Sequence, residues 1–212
     1  MNIGIIGASG KAGQAIALEA AGRGHQVTAL VRNADKVAGQ GWAVLEKDAF
    51  SLKAEDLSEF DVVVNAFAAP LGEEQLHVEA GRVLIAALQE APDTRLIVVG
   101  GAGSLYVDEA KTVLLVDSPD FPEMFKGTAS NQAQNLEELK ASGIRWTFVS
   151  PSAFFDPAGK RTGAYRQGKD NLLVNSKGNS YISYADYAIA IVDEIEQRAH
   201  EGERFTVVGE AE

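Results

Sequence analysis

The sequence predicts an α/β fold built on a doubly wound, largely parallel sheet, and three observations carry that expectation. Apolar runs alternate with helical patterns from the first residue, the order that βαβ units impose. Several of those runs are apolar throughout rather than alternating, as strands covered on both faces are. The chain has 212 residues, 46% hydrophobic and 23% charged, which suits one domain with its own core and argues against disorder.

Asn2–Gly7 (NIGIIG) reads as the first buried strand. Lys11–Ala21 is an Ala-rich helix closed by Gly22 and Gly24. Gln26–Val31, Trp42–Glu46, Asp61–Asn65 and Arg95–Gly100 supply strands two to five. Glu73–Glu90 is an amphipathic helix, because Leu76, Ala80, Val83, Leu84, Ala87 and Leu88 fall at i, i+4, i+7, i+8, i+11 and i+12. A helix over about Thr128–Ser142 ends at Gly143, and Ile144–Val149 is the sixth strand. Gly159–Gly178 then turns Gly-, Lys- and Asn-rich, and its segments GAYRQ and NLLVN predict a β-hairpin away from the main sheet. Ser183-x-x-Asp186 resembles a capping box ahead of a helix whose buried face is Tyr184, Ala188, Ile191, Val192 and Ile195. Arg204–Val208 is the last strand. No repeat or long linker divides the chain, so residues 1–212 are expected to be one domain, with about 151–200 forming a small C-terminal substrate lobe.

The chain has 19 Lys and Arg against 30 Asp and Glu, a net charge of −11, which disfavours nucleic acid and anionic membranes as partners. Residues 1–40 run the other way: Lys11, Arg23, Arg32 and Lys36 outnumber Glu19 and Asp35 by two. That end is expected to meet something small and anionic. With no cysteine, disulfide scaffolds, thiol nucleophiles and cysteine metal sites are excluded. The longest run without a charge, Leu96–Val107, is too short to span a bilayer, and residues 1–7 read as a strand rather than a signal peptide. A cytoplasmic protein is expected.

The strongest motif is Gly7-Ala8-Ser9-Gly10-Lys11-Ala12-Gly13, placed directly after a strand and opening a helix. Gly7 permits a tight turn, Gly10 lets the backbone approach a pyrophosphate, and Gly13 lets the helix pack near the strand. The free N–H groups and dipole of the helix start then hold the phosphates, so the motif implies dinucleotide binding. The second strand ends at Arg32 with no acid, where an NAD site would place Asp or Glu on the ribose; this predicts NADP(H) over NAD(H), with Lys11 a second phosphate contact.

The spacing GxxGxxG resembles the short-chain dehydrogenase/reductase superfamily in its extended and atypical branches, which implies a Rossmann-like sheet. By that resemblance Asp48 lies beside the adenine, the loop Asn65, Ala66, Phe67, Ala68 and Ala69 covers the adenosine and ribose, and Gly100 ends the fifth strand at the cofactor. Ser104 falls about where the superfamily has its serine, but no Tyr-x-x-x-Lys follows on the next helix, which reads Met124 to Gln132 instead. The literal match Tyr165-Arg-Gln-Gly-Lys169 lies in the Gly-rich stretch, the wrong context for that dyad.

Gly7–Gly13, VGGAGSL (99–105), WTFVSP (146–151), TGAY (162–165) and ISYADYAIA (182–190) together resemble a smaller group, the NAD(P)H-binding proteins that include NADH-flavin reductase-like proteins and biliverdin IX-beta reductase. The reductase of biliverdin has a His after the sixth strand, where this chain has Pro151-Ser152-Ala153-Phe154, which puts tetrapyrrole reduction in doubt. The resemblance implies hydride transfer from NADPH to a flavin (FMN or FAD), a quinone or a similar flat acceptor, catalysed by positioning. Ser104, Tyr106 and Ser152 are the candidate catalytic residues, and Leu105, Phe154 and Phe155 the candidate acceptor contacts. The rival expectation is an NADP-binding redox sensor that turns nothing over and acts through a protein partner; a homodimer is left open. His25, His77 and His200 have no metal-ligand spacing, so no metal is expected. Glu73-Glu74, Glu137-Glu138 and Asp193-Glu194 read as solvated helix faces, and Asp117, Asp120 and Glu123 as part of a surface loop.

Overall fold

The computed structural model describes residues 1–210. Its elements run β1 (Asn2–Ile6), α1 (Lys11–Gly22), β2 (Gln26–Val31), β3 (Ala43–Glu46), α2 (Ala54–Leu57), β4 (Val62–Asn65), α3 (Leu76–Gln89) and β5 (Arg95–Val99). There follow α4 (Glu123–Ser142), β6 (Trp146–Ser150), β7 (Phe154–Asp156), β8 (Tyr165–Gly168), β9 (Tyr181–Ser183), α5 (Tyr184–Gln197) and β10 (Glu203–Gly209).

Eight strands form one sheet in the order β3-β2-β1-β4-β5-β6-β10-β8. All neighbours pair in parallel except β8, which runs antiparallel to β10 at the edge. This is the doubly wound, Rossmann-like arrangement. The chain moves outward from β1 to β3, then returns to the far side of β1 with β4, so a crevice opens at the carboxyl ends of β1 and β4. One face buries Ile3, Ile5, Ile16, Val64 and Ile97 under α1 and α5; the other buries Val63, Leu84, Leu96, Leu139 and Phe148 under α3 and α4. Val62–Val64 are buried throughout, as central parallel strands covered on both sides must be. No helix among the described residues is long and apolar enough to cross a membrane.

Several expectations need correcting. The hairpin of residues 159–178 does not form. Tyr165–Gly168 instead joins the main sheet as β8, because β10 offers an unpaired edge, and residues 171–175 are loop but for a bridge at Asn171. The small separate sheet is a different pair, β7 with β9, in parallel. Glu123 is not in a loop: α4 begins there, behind Pro122, whose ring favours a helix start. The capping box is half made. The Ser183 hydroxyl accepts from Asp186 N at 3.0 Å, but the Asp186 carboxylate turns to Thr162 N, Thr162 Oγ1 and Gly163 N at 2.9, 2.7 and 2.9 Å. It thereby straps the 157–164 loop to α5.

Asp193 and Glu194 are not a solvated face either. Asp193 takes Arg23 Nη1 at 2.6 Å and the Tyr165 hydroxyl at 2.8 Å. Glu194 is 3% exposed and ion-pairs with the buried Arg95 guanidinium at the amino end of β5. Arg95 also donates to Thr147 Oγ1 at 2.5 Å, and His200 Nδ1 lies 2.7 Å from the other Glu194 oxygen.

Candidate functional site

The turn from β1 into α1 is built by its glycines. Gly7 has φ +75, and a Cβ there would stand 2.6 Å from the Ala66 carbonyl oxygen; a Cβ at Gly13 would stand 2.3 Å from Gly7 O. Gly7 thus lets β1 and the β4 loop converge, and Gly13 lets α1 close on the strand. Gly10 N donates to Gly7 O at 2.8 Å, and no side chain caps α1. Ala8 is fully buried, while Ser9, Gly10 and Lys11 are exposed at the helix start with Ala12 half-buried behind them. The first N–H groups of α1 therefore face outward with no protein side chain on them, the arrangement that receives a phosphate.

Around this turn lies an open cleft lined by Gly7, Ser9, Gly10, Arg32, Lys47, Asp48, Phe50, Ala66 and Phe67 over a floor of Ile6, Leu30 and Leu52. Arg32, at the end of β2, is exposed and makes no hydrogen bond or ion pair with any described residue. Lys11 is likewise without a partner among them. Asp48 receives Phe50 N on Oδ1 at 2.9 Å, which folds the loop after β3 and leaves Oδ2 for a ligand. Asn65 is buried, and its Oδ1 receives Phe67 N at 3.1 Å, which fixes the loop after β4.

Sequence reasoning missed three contributors here. Phe50 packs edge-on against Phe67 with centroids 5.5 Å apart, so one wall of the cleft is aromatic. Lys47 lines the cleft while its Nζ is held 2.5 Å from Asp56. His77 lies beneath the same loop, edge-on to Phe67 at 5.8 Å and accepting from Ala69 N at 3.4 Å. Burial pushes its imidazole below the ordinary value, with the nearby Glu74 carboxylate pulling the other way. No motif marks any of the three.

The cofactor candidate Gly100 is buried and does not line this cleft; a Cβ there would lie 2.1 Å from the Phe148 ring, so packing requires that glycine. The acceptor-side candidates scatter. Ser104 is half-buried in the turn beyond β5, and its hydroxyl receives Arg204 Nη1 at 3.2 Å. Tyr106 is half-buried and bridges to Leu114 and Asn171. Two candidates are corrected. Leu105 is wholly buried and so does not face a ligand, and the buried Ser152 spends its hydroxyl on Val207 O at 2.8 Å, closing the lobe onto β10. Phe155 is wedged between Tyr184 and Tyr187, at 4.0 and 4.7 Å, while Phe154 lies 60% exposed beside Tyr181. The Tyr165 hydroxyl is tied to Asp193, which together with burial raises its pKa, and Lys169 lies against Glu203. These two do not meet as a dyad.

A family described as NAD(P)H-binding matches residues 7–198. YwnB of Bacillus subtilis (strain 168) is 65% identical over 213 residues, covering 100% of both chains. A Streptococcus pneumoniae TIGR4 structure described as "a putative NADH-flavin reductase" is 44% identical, with a TM-score of 0.92 over 99% of this chain and 100% of that one. ChuY of Escherichia coli O157:H7, described as an anaerobillin reductase, is 19% identical with a TM-score of 0.76 over 98% of this chain and 97% of that one, a likeness of fold alone. The chain belongs to the NAD(P)H-binding family.

Proposed function

We propose that the protein is a reductase that uses NADPH in preference to NADH and delivers hydride to a flat acceptor of the flavin or quinone class, FMN being the representative. The observation that carries the reading is the Arg32 guanidinium at the rim of the cleft, without a partner among the described residues, where an NAD site would carry an acid. A planar guanidinium pairs with a 2′-phosphate through two N–H groups and stacks on an adenine face.

When bound, the nicotinamide supplies the hydride. The residues of this chain do the rest by holding and orienting. The exposed amides after Gly10 and the free Lys11 ammonium bind the pyrophosphate, and Arg32 takes the 2′-phosphate. Asp48 accepts from the adenosine, while Phe50 and Phe67 exclude water from its base. Ser104 and Tyr106 beyond β5, with Phe154 and Phe155 beyond β6, frame the acceptor. The nearby likeness to a protein described as an NADH-flavin reductase supports the acceptor class.

The test is the rate of NADPH oxidation by the purified protein with and without FMN, with NADH in parallel. A saturable FMN-dependent rate that favours NADPH is expected. Tight NADPH binding with no FMN-dependent oxidation would instead leave a different acceptor or an NADP-binding sensor, and a protein partner would then be sought.

A further inference from the structure

We propose that Arg204 is a positioning residue for Ser104, aiming the serine hydroxyl at the acceptor. The assignment deepens the reductase reading and rests on it. Arg204 and Ser104 are 100 residues apart in sequence, yet Nη1 donates to both the carbonyl and the hydroxyl oxygen of Ser104, each at 3.2 Å. The Arg204 side chain is only 6% exposed, and its Nε and Nη2 both hold Asp170 Oδ1, at 3.0 and 2.9 Å. Lys111 Nζ holds the other Asp170 oxygen at 3.0 Å. The same two chain segments are stitched through their backbones: Tyr106 N donates to Asp170 O and Leu172 N to Tyr106 O, both at 2.8 Å.

A buried guanidinium is costly unless its N–H groups are satisfied, so an arginine that only filled space here would be better replaced by an apolar residue. Besides pairing with Asp170 and the Ser104 carbonyl, Arg204 occupies one lone pair of the Ser104 hydroxyl, which an apolar residue could not do. The hydroxyl proton then has no acceptor among the described residues and points elsewhere. Ser104 stands in the turn beyond the carboxyl end of β5, on the side of the sheet where open α/β proteins receive ligands. A donor fixed there stabilises the carbonyl or imine edge of a flat acceptor as negative charge grows on it during reduction, and the adjacent cation strengthens that donor. Asp170 and Lys111 keep the guanidinium from swinging away.

The experiment assays FMN-dependent NADPH oxidation by wild type, Ser104→Ala, Arg204→Gln and the double variant, with the NADPH dissociation constant measured separately by fluorescence. Each single change is expected to lower kcat on the order of 100-fold while NADPH binding holds. The double variant is expected to be no slower than Ser104→Ala, because Arg204 acts through that hydroxyl. An unchanged kcat in Ser104→Ala overturns the assignment, and so do losses that multiply in the double variant. If Arg204→Gln does not fold, Asp170→Asn loosens the same guanidinium from the surface side, and its smaller loss must likewise vanish in the Ser104→Ala background. A wild type that binds NADPH but reduces neither FMN nor a quinone ends the reductase reading, and this assignment with it. An active wild type whose variants multiply ends the assignment alone.

Discussion

At the amino end of β5 the Arg95 guanidinium is buried against Glu194, Thr147 and, through Glu194, His200, whereas at the carboxyl end of β2 the Arg32 guanidinium stands exposed with no partner among the described residues. Both side chains sit at the end of a strand in the same sheet. The difference lies in what surrounds them. At the amino end the ends of α5 and β6 converge on Arg95 and bury it, so its charge must be neutralised from within. At the carboxyl end the loops after β1, β2 and β4 part around the cleft, and the charge remains for an anion to neutralise. One end holds the fold and the other is open to a ligand.

That contrast breaks most visibly at the buried pair. Glu194→Ala leaves Arg95 charged and unpaired, and is expected to cost about 3–5 kcal/mol of stability, read as the shift in a chemical unfolding curve. A loss of only a few tenths would mean that water reaches Arg95 and that the two ends do not differ as described. At the open end the expected effect falls on binding instead. Arg32→Ala should leave the unfolding midpoint where it was and weaken NADPH by roughly 10- to 100-fold, with NADH little changed. Equal losses for both cofactors, or none, would remove the 2′-phosphate from Arg32.

The smallest effect is expected at His77, the half-buried titratable group beneath the loop after β4. Because burial holds its imidazole below the ordinary 6.5, the unfolded chain takes up a proton before the native one does. Its contribution to stability is therefore whole above 6.5 and shrinks as pH falls from there through the native value. His77→Gln keeps an acceptor for Ala69 N but does not titrate, so its unfolding temperature should fall less between about pH 7 and about pH 5 than that of the wild type. Parallel slopes would show that protonating His77 does not disturb the loop.

Much of this was legible in the chain itself. Gly7, Ser9, Gly10, Arg32, Asp48 and the Ala66–Phe67 loop line one crevice because each lies just past a strand end, and local sequence marks strand ends well. The acceptor side was harder to read. Leu105 and Ser152 looked like loop residues over a ligand, yet one is core and the other is bonded to β10, since burial depends on which segment lies on top of a loop. Phe50, Lys47 and His77 were missed because the loop conformations that bring them to Phe67, Asp56 and Ala69 follow no residue spacing.

The sequence by itself determined the alternation of strands and helices, the glycine turn between β1 and α1 and the sign of the charge beside it, because each depends on residues within a few positions of one another. Only the tertiary structure decided that Tyr165 joins the edge of the main sheet, that Asp186 holds the 162–163 turn, and that Arg95 finds Glu194 and Arg204 finds Ser104. Those pairings join residues roughly 20 to 100 positions apart, and they exist because burying a charge or an unpaired sheet edge is expensive enough to select its partner from across the chain.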